Sequence, residues 1–257
     1  MYSEEIEIVS KSAQKKAKMI NERNGKYAIS SMLGGLYVCF GTILAYTLGG
    51  MFYDAHSPAY KLIVGLTFGI ALTLITFAGA DLFTSNTMVM AMGAINKKTS
   101  WLDYLKVVPT CWVFNFVGSI IAAFAFVYSG VMNDSNSSFI VKLAADKVQL
   151  SIPELIIRGI LCNLLVCLAS WLAYKMKNEA AKIMMMLWCV LTFVVAGFEH
   201  SIANMGLFAI SLLVPQGAGV ITFSGVAYNL VFVTIGNLIA GTVILAFSYT
   251  YMSRKKQ

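Results

Sequence analysis

Two long hydrophobic stretches of this chain are each interrupted at mid-span by a similar polar phrase: Gly79-Ala80-Asp81-Leu82-Phe83-Thr84-Ser85-Asn86, and Gly197-Phe198-Glu199-His200-Ser201-Ile202-Ala203-Asn204. Each has a glycine, an acid two places on and an asparagine seven places on. An ionisable side chain placed in hydrocarbon costs roughly 2.5 to 3.5 kcal/mol on insertion scales. Carboxylates, a histidine and hydroxyls in two such stretches therefore point to passage of a solute through a membrane.

The rest of the chain agrees with a bilayer as its solvent. Of 257 residues, 58% are hydrophobic and 12% charged, about half the charge of a typical soluble domain. The charges gather between apolar runs instead of alternating with them, which disfavours a soluble core. The pattern predicts one integral, all-α membrane domain with six spans: about 27–50, 62–95 (broken), 107–130, 152–174, 183–214 (broken) and 223–252. Residues 1–26 form a charged leader with no cleavage-like site, and 253–257 a basic tail.

Charge placement sets the orientation. Lys11, Lys15, Lys16, Lys18, Arg23, Lys26, Lys97, Lys98, Lys106, Lys175, Lys177, Lys182, Arg254, Lys255 and Lys256 fall on one side, leaving Lys61, Lys142, Lys147 and Arg158 of the 19 basic residues on the other. The positive-inside rule then predicts both termini in the cytoplasm. The formal charge of +7 reads as orientation and contact with anionic lipid, not as nucleic-acid binding.

The second and fifth spans are about ten residues longer than one crossing needs at 1.5 Å per residue, so each has room for two half-helices and a loop. With three spans per half they cross in opposite directions, the sequence mark of an inverted three-plus-three repeat. Neither contains proline; Pro58 and Pro215 lie at run ends, and Pro109 and Pro153 are expected near helix starts. Half-helix N-termini facing a cavity carry partial positive charge that favours an anion. Thr84 or Ser85, and Ser201, are the expected caps. Asp81 and Glu199 are expected to brace the loops, with Ser85, Asn86, Ser201 and Asn204, because a carboxylate in the path would repel an anion.

These residues carry a resemblance. The paired breaks, Gly197 to Met205 and Asp81 to Thr87, resemble the formate/nitrite transporter family, as do Asp146-Lys147-Val148 and Cys162-Asn163-Leu164-Leu165-Val166-Cys167. Within that family, Ala80 to Asn86 is most similar to the hydrosulfide channel branch. The resemblance implies an aquaporin-like protomer, a homopentamer in the inner (plasma) membrane with one pore per subunit, and small monovalent anions as cargo: hydrosulfide, formate or nitrite. It places the substrate pathway at Thr84, Lys147, Asn163 and His200. It implies constrictions at Phe68, Leu72 and Phe193 toward the cytoplasm and at Leu82, Phe83 and Val166 toward the outside. The paired Asn-Pro-Ala signature of water channels is missing from both breaks.

Apolar constrictions repel a bare ion and admit a neutral acid. The conjugate acids of these anions are small and neutral, and His200 is the intramembrane group whose ordinary titration range suits a proton donor. The expected order is attraction by Lys147, hydrogen bonding by Thr84, and proton exchange with, or N–H donation by, His200. A proton-coupled formate or nitrite carrier is the alternative. An intramembrane protease using Asp81 and Glu199 is the remote one, since neither acid stands in a Gly-x-Gly-Asp context. Enzymatic chemistry and cofactors are not expected: there is no Gly-x-Ser-x-Gly and no phosphate-cradling glycine loop.

Smaller features complete the reading. Cys39, Cys111, Cys162, Cys167 and Cys189 lie inside apolar runs and are expected as core residues. Gly65 with Gly69, and Gly236 with Ala240, suit close helix contact. Ile6, Val9, Ala13, Ala17 and Ile20 share one face of the leader, predicting an interfacial helix. Trp101, Tyr104, Trp171, Tyr174, Tyr249 and Tyr251 fall near run ends, as an aromatic belt would.

Overall fold

The computed structural model describes residues 2–253, so Arg254, Lys255 and Lys256 of the basic tail lie outside the described residues. The described chain is helical throughout. An N-terminal helix α1 (Ser3–Glu22) leads into α2 (Asn24–Asp54), then α3 (Tyr60–Phe68), α4 (Ile70–Leu74) and a π-helical turn (Ile75–Gly79). Helix α5 (Phe83–Ile95) follows, then α6 (Trp101–Tyr128), α7 (Asp134–Val148), α8 (Ile152–Lys175), α9 (Glu179–Val195) and α10 (Ser201–Leu213). Helix α11 (Phe223–Leu238), a π-helical stretch (Ile239–Leu245) and α12 (Ala246–Ser253) close the chain. Five stretches are long and apolar enough to cross a membrane: α2, Tyr60–Gly79, α6, α8 and Phe223–Ser253.

Local chemistry explains the helix starts. Ser100 and Asp103 form a capping box on α6: Asp103 N donates to Ser100 Oγ at 3.0 Å, and Ser100 N donates to Asp103 Oδ2 at 2.9 Å. On α8 the Glu154 carboxylate accepts from Ser151 N at 2.9 Å and Oγ at 2.7 Å. Asn133, Asn178 and Thr222 cap α7, α9 and α11 with side-chain oxygens. Since α6 begins at Trp101, Pro109 sits inside that helix and not near its start.

The leader's apolar stripe is buried, but against protein. Ile6, Val9, Ala13, Ala17 and Ile20 close onto the core cluster, with α1 packed mainly on α5. The aromatic belt is also only partly outward. Trp101 and Tyr251 are exposed, whereas Trp171 is buried, stacked on Tyr249 at 4.3 Å with Tyr2 edge-on to both rings. All five cysteines are buried and unlinked.

Helices approach closely where glycine removes the side chain. A Cβ on Gly65 or Gly69 would meet Leu191 Cδ1 at 2.8 Å or Leu187 Cδ1 at 2.7 Å, both on α9. At the contact between α2 and α6, a Cβ on Gly118 would lie 1.9 Å from the Met32 carbonyl oxygen, an unyielding backbone atom. Gly118→Ala is therefore expected to push these helices apart and to destabilise by about 1–3 kcal/mol. Thermal unfolding in detergent measures it, with Gly25→Ala as the comparison: nothing lies within 4 Å of that Cβ, and its midpoint should hold or rise.

Candidate functional site

Both polar phrases lie where a helix stops and another begins. Gly79 and Gly197 take φ of 80° and 74°, the left-handed region open to glycine, and turn the chain out of the preceding helix. Three extended or irregular residues follow the first, and α5 starts at Phe83; α10 starts at Ser201 after the second.

The backbone freed at each break is secured by the same kind of partners, a carbonyl of a neighbouring helix and a buried asparagine. At the first, Asp81 N donates to Ser30 O at 3.2 Å, Phe83 N donates to Asn115 Oδ1 at 2.9 Å, and Asn115 Nδ2 donates to Asp81 O and Ser31 O. At the second, Glu199 N donates to Arg158 O at 3.2 Å, Ser201 N donates to Asn237 Oδ1 at 3.1 Å, and Asn237 Nδ2 donates to Glu199 O and Gly159 O. One buried asparagine from α6 and one from α11 thus fasten each loop to the neighbouring helix.

The acids repeat the pattern. The Asp81 carboxylate pairs with Lys16 of α1 and accepts from Ser30 Oγ and Asn86 Nδ2. The Glu199 carboxylate pairs with Lys147 of α7 at 2.5 Å and accepts from Asn204 Nδ2 at 2.6 Å. Burial would lower the pKa of each lysine, but the facing carboxylate outweighs it and holds Lys16 and Lys147 above the usual lysine value, so both lysines stay charged. Asn86 and Asn204 thus each bond the acid of their own break. Ser85 and Ser201 do not: Ser85 Oγ bonds Ser170 Oγ at 2.7 Å, and the buried Ser201 Oγ has no partner among the described residues.

The caps also differ from expectation. The N-cap of α5 is Leu82, whose side chain has no acceptor, and Asn115 Oδ1 from α6 takes the first amide of the helix, Phe83 N. The N-cap of α10 is His200, whose Nδ1 accepts from Ala203 N at 3.0 Å. An accepting Nδ1 carries no proton, so the ring is neutral with its hydrogen on Nε2. That hydrogen faces Thr84 Oγ1 at 3.2 Å. Thr84 is fully buried, and its carbonyl receives Thr87 Oγ1, Asn163 Nδ2 and Cys167 Sγ. Asn163 therefore lies behind Thr84 as a support, tied also to Asn237 O at 2.6 Å, instead of beside the path.

Three cavities follow one another past this pair. A vestibule of about 420 Å³ is bordered by Lys61, Lys147 and Arg158 and ends on Phe68, Phe193 and His200. A chamber of about 10 Å³ comes next, walled by Val38, Phe68, Leu72, Leu82, Val166, Phe193 and His200 among other apolar groups. On the α1 side, about 240 Å³ opens between Lys16, Leu72, Leu82, Ser85, Ser170 and Tyr174. Phe68 and Phe193 meet edge to face at 6.2 Å, and Phe193 stacks on His200 at 5.9 Å.

This order corrects two expectations. The resemblance puts Phe68, Leu72 and Phe193 away from Lys147 and Leu82 and Val166 toward it, but Phe68 and Phe193 border the Lys147 vestibule, Leu82 and Leu72 border the α1-side cavity, and Val166 lines the small chamber between. Phe83 leaves the path altogether: as the first residue of α5 its side chain turns to an apolar groove with Tyr104, Trp112 and Leu238. Lys147 lines the vestibule, but its charge is already matched by Glu199. Sequence reasoning missed Asn115, Asn237, Ser30 and Lys16 as loop holders. Lone amides in apolar helices were a visible signal for the first two.

A buried pair is costly to half-remove. Lys147→Met is expected to destabilise by about 3–5 kcal/mol by stranding the Glu199 carboxylate, and adding Glu199→Gln should restore most of that loss. A double-mutant cycle on thermal unfolding checks it; a double variant as weak as the single one contradicts the pairing.

With that geometry in place, comparison with known proteins is informative. A family model described as formate/nitrite transporter matches residues 3–251. The nitrite transporter NirC of Escherichia coli (strain K12) is 35% identical over 256 residues, spanning 99% of this chain and 94% of that protein. A solved FNT family ion channel superposes with a TM-score of 0.92 at 33% identity, over 98% of this chain and 100% of that one. A solved pentameric formate channel with formate bound gives 0.76 at 26% identity, over 90% and 97%. This chain belongs to the formate/nitrite transporter family.

Proposed function

We propose that the protein is a pore for small monovalent anions of weak acids, hydrosulfide, formate or nitrite. One pore runs through each protomer of a homopentamer in the inner (plasma) membrane. The chain crosses six times as two inverted halves with the second and fifth crossings broken, and both termini face the cytoplasm. The vestibule bearing Lys61, Lys147 and Arg158 then opens outward, and the Lys16 cavity opens inward. The pentamer rests on the likeness to the pentameric formate channel, and the anion class on the family.

The observation that carries this reading is the contrast between two polar mouths, one of them bordered by Lys61, Lys147 and Arg158, and the apolar chamber of about 10 Å³ between them. Space of that size holds about one water, so no hydration shell passes with an ion. Moving a bare charge past Phe68, Phe193, Leu72 and Leu82 is strongly opposed, whereas a small acid that is neutral at that point meets little resistance. Chloride, whose conjugate acid does not form near neutral pH, is excluded on the same ground. Thr84 and His200 supply the polar atoms beside the narrow passage.

The neutral tautomer of His200 favours a donor role over proton exchange. Forming an imidazolium would place a proton on Nδ1, where Ala203 N–H already points, and would break the α10 cap. His200 then offers Nε2–H to the passing anion while Thr84 turns aside, and the proton that neutralises the cargo comes from the aqueous side. The carrier alternative requires His200 itself to exchange the proton.

His200→Asn separates the two, because asparagine keeps a capping oxygen and lacks Nε2–H. Formate, nitrite, hydrosulfide and chloride uptake into proteoliposomes across imposed pH gradients is the measurement. The donor role predicts flux of the three weak-acid anions about 10- to 100-fold lower, the worth of about 1.5–3 kcal/mol for one desolvated hydrogen bond, with the pH dependence kept. Loss of the pH dependence supports the carrier. Unchanged flux with unchanged pH dependence removes His200 from the mechanism, and chloride flux equal to formate flux overturns the weak-acid reading.

A further inference from the structure

The vestibule beside Phe68 and Phe193 presents three cations, and no carboxylate side chain borders it among the described residues. The three are not equivalent. Lys147 has its ammonium 2.5 Å from Glu199 Oε1, a pair whose charges sum to zero and whose carboxylate is almost wholly buried beneath it. Arg158 has its guanidinium 3.2 Å from Glu154 Oε1. Lys61 is in no ion pair among the described residues and is exposed to the vestibule.

The position of Lys61 follows from helix geometry. Lys61, Val64 and Phe68 are spaced by three and seven residues on α3, so they share one face, and all three border the vestibule. Seven residues at 1.5 Å place the Lys61 backbone about 10 Å above the Phe68 ring position. That is about one Debye length at 0.1 M salt, so its field reaches the constriction in dilute solution and is cut off in concentrated salt.

We infer that Lys61, and not the neutralised Lys147, is the main source of the field that gathers anions at this mouth. Lys147 then serves as the counter-ion that keeps Glu199 and the second break in place. This rests on the anion-pore reading above. It assigns Lys61 to capture at the mouth, leaving passage through the narrow chamber to other groups, so its removal should raise the anion concentration needed for half-maximal flux and leave the maximum nearly unchanged.

The test is initial-rate formate uptake into proteoliposomes across a formate concentration series, at ionic strengths of about 0.01 M and about 1 M, where the Debye length is about 30 Å and about 3 Å. Lys61→Gln should raise the half-saturating concentration about two- to tenfold at low ionic strength, Lys61→Glu should raise it further, and both differences should vanish at high ionic strength. Lys142→Gln removes a cation of α7 that is paired with Asp146 and does not border the vestibule, and should behave as the unsubstituted protein. Half-saturation unaffected by Lys61→Gln at low ionic strength overturns the inference. So does a fall in maximal flux that is the same at both ionic strengths, since that marks a structural role. If the unsubstituted protein carries none of formate, nitrite and hydrosulfide, the pore reading itself fails, a result distinct from either; if it carries only one of the other two, the same series is run with that anion.

Discussion

A helix that stops inside a membrane exposes amides and carbonyls where no water is available to bond them, and each left alone costs several kcal/mol. This chain stops twice, after Gly79 and after Val195, and everything around the two breaks answers that demand. Asn115 and Asn237 each accept one backbone amide and donate to two carbonyls, and Asn115 Oδ1 also receives Cys111 Sγ at 3.7 Å. The acids beside them are held in turn by a lysine from a separate helix and by an asparagine from the first turn of the helix that follows the break. The polar residues that first mark these stretches as unusual are thus mostly engaged in holding the backbone still, and only a few atoms remain free for cargo.

The economy of that arrangement explains why the fold was readable and the site only partly so. Apolar run length, charge placement and the paired phrases suffice to anticipate an all-helical membrane protein. They failed where the outcome depends on a partner far away in sequence. Ser85 and Ser201 are good capping residues by type, but both lie inside their helices: α5 begins at Phe83, with its first amide on Asn115, and His200 precedes α10 and reaches Ala203 N itself. Phe83 and Leu82 are adjacent and similarly apolar. Only the start of α5 decides that one borders the chamber and the other the groove beside Tyr104. The helix α7 was hidden because its 15 residues are too polar to register as a span, though its Lys147 was recognised.

Helices α1 and α7 play matching parts, which gives the leader a structural reason to be present. Each precedes a set of apolar helices, each is amphipathic or mixed in character, and each delivers one lysine to the acid of a break. An interfacial helix lying on lipid would leave Lys16 in water. Packing on α5 instead brings it to Asp81, and Ser12 to Tyr174 at 2.9 Å. The leader is therefore part of the wall of the α1-side cavity, and its apolar stripe of small residues, Ala13 and Ala17, lets it approach closely enough; a Cβ on Gly93 of α5 would already meet Ala13 at 2.5 Å.

The same double use of charge limits what the mouths can do to an anion. A lysine that must neutralise a buried carboxylate to keep the loop folded has little net field left, because an approaching ion at a distance larger than the pair's separation sees a dipole and not a charge. Lys16 and Lys147 are both in this position. On the Lys147 side the vestibule above Phe68 and Phe193 also holds Lys61, which is in no ion pair among the described residues. On the α1 side the cavity borders only Lys16 among the basic residues, so that mouth has no comparable unpaired cation in its wall among the described residues. The two mouths are alike in their loop bracing and unlike in field, and the asymmetry resides in side chains of the wall while the backbone scaffold beneath them is duplicated.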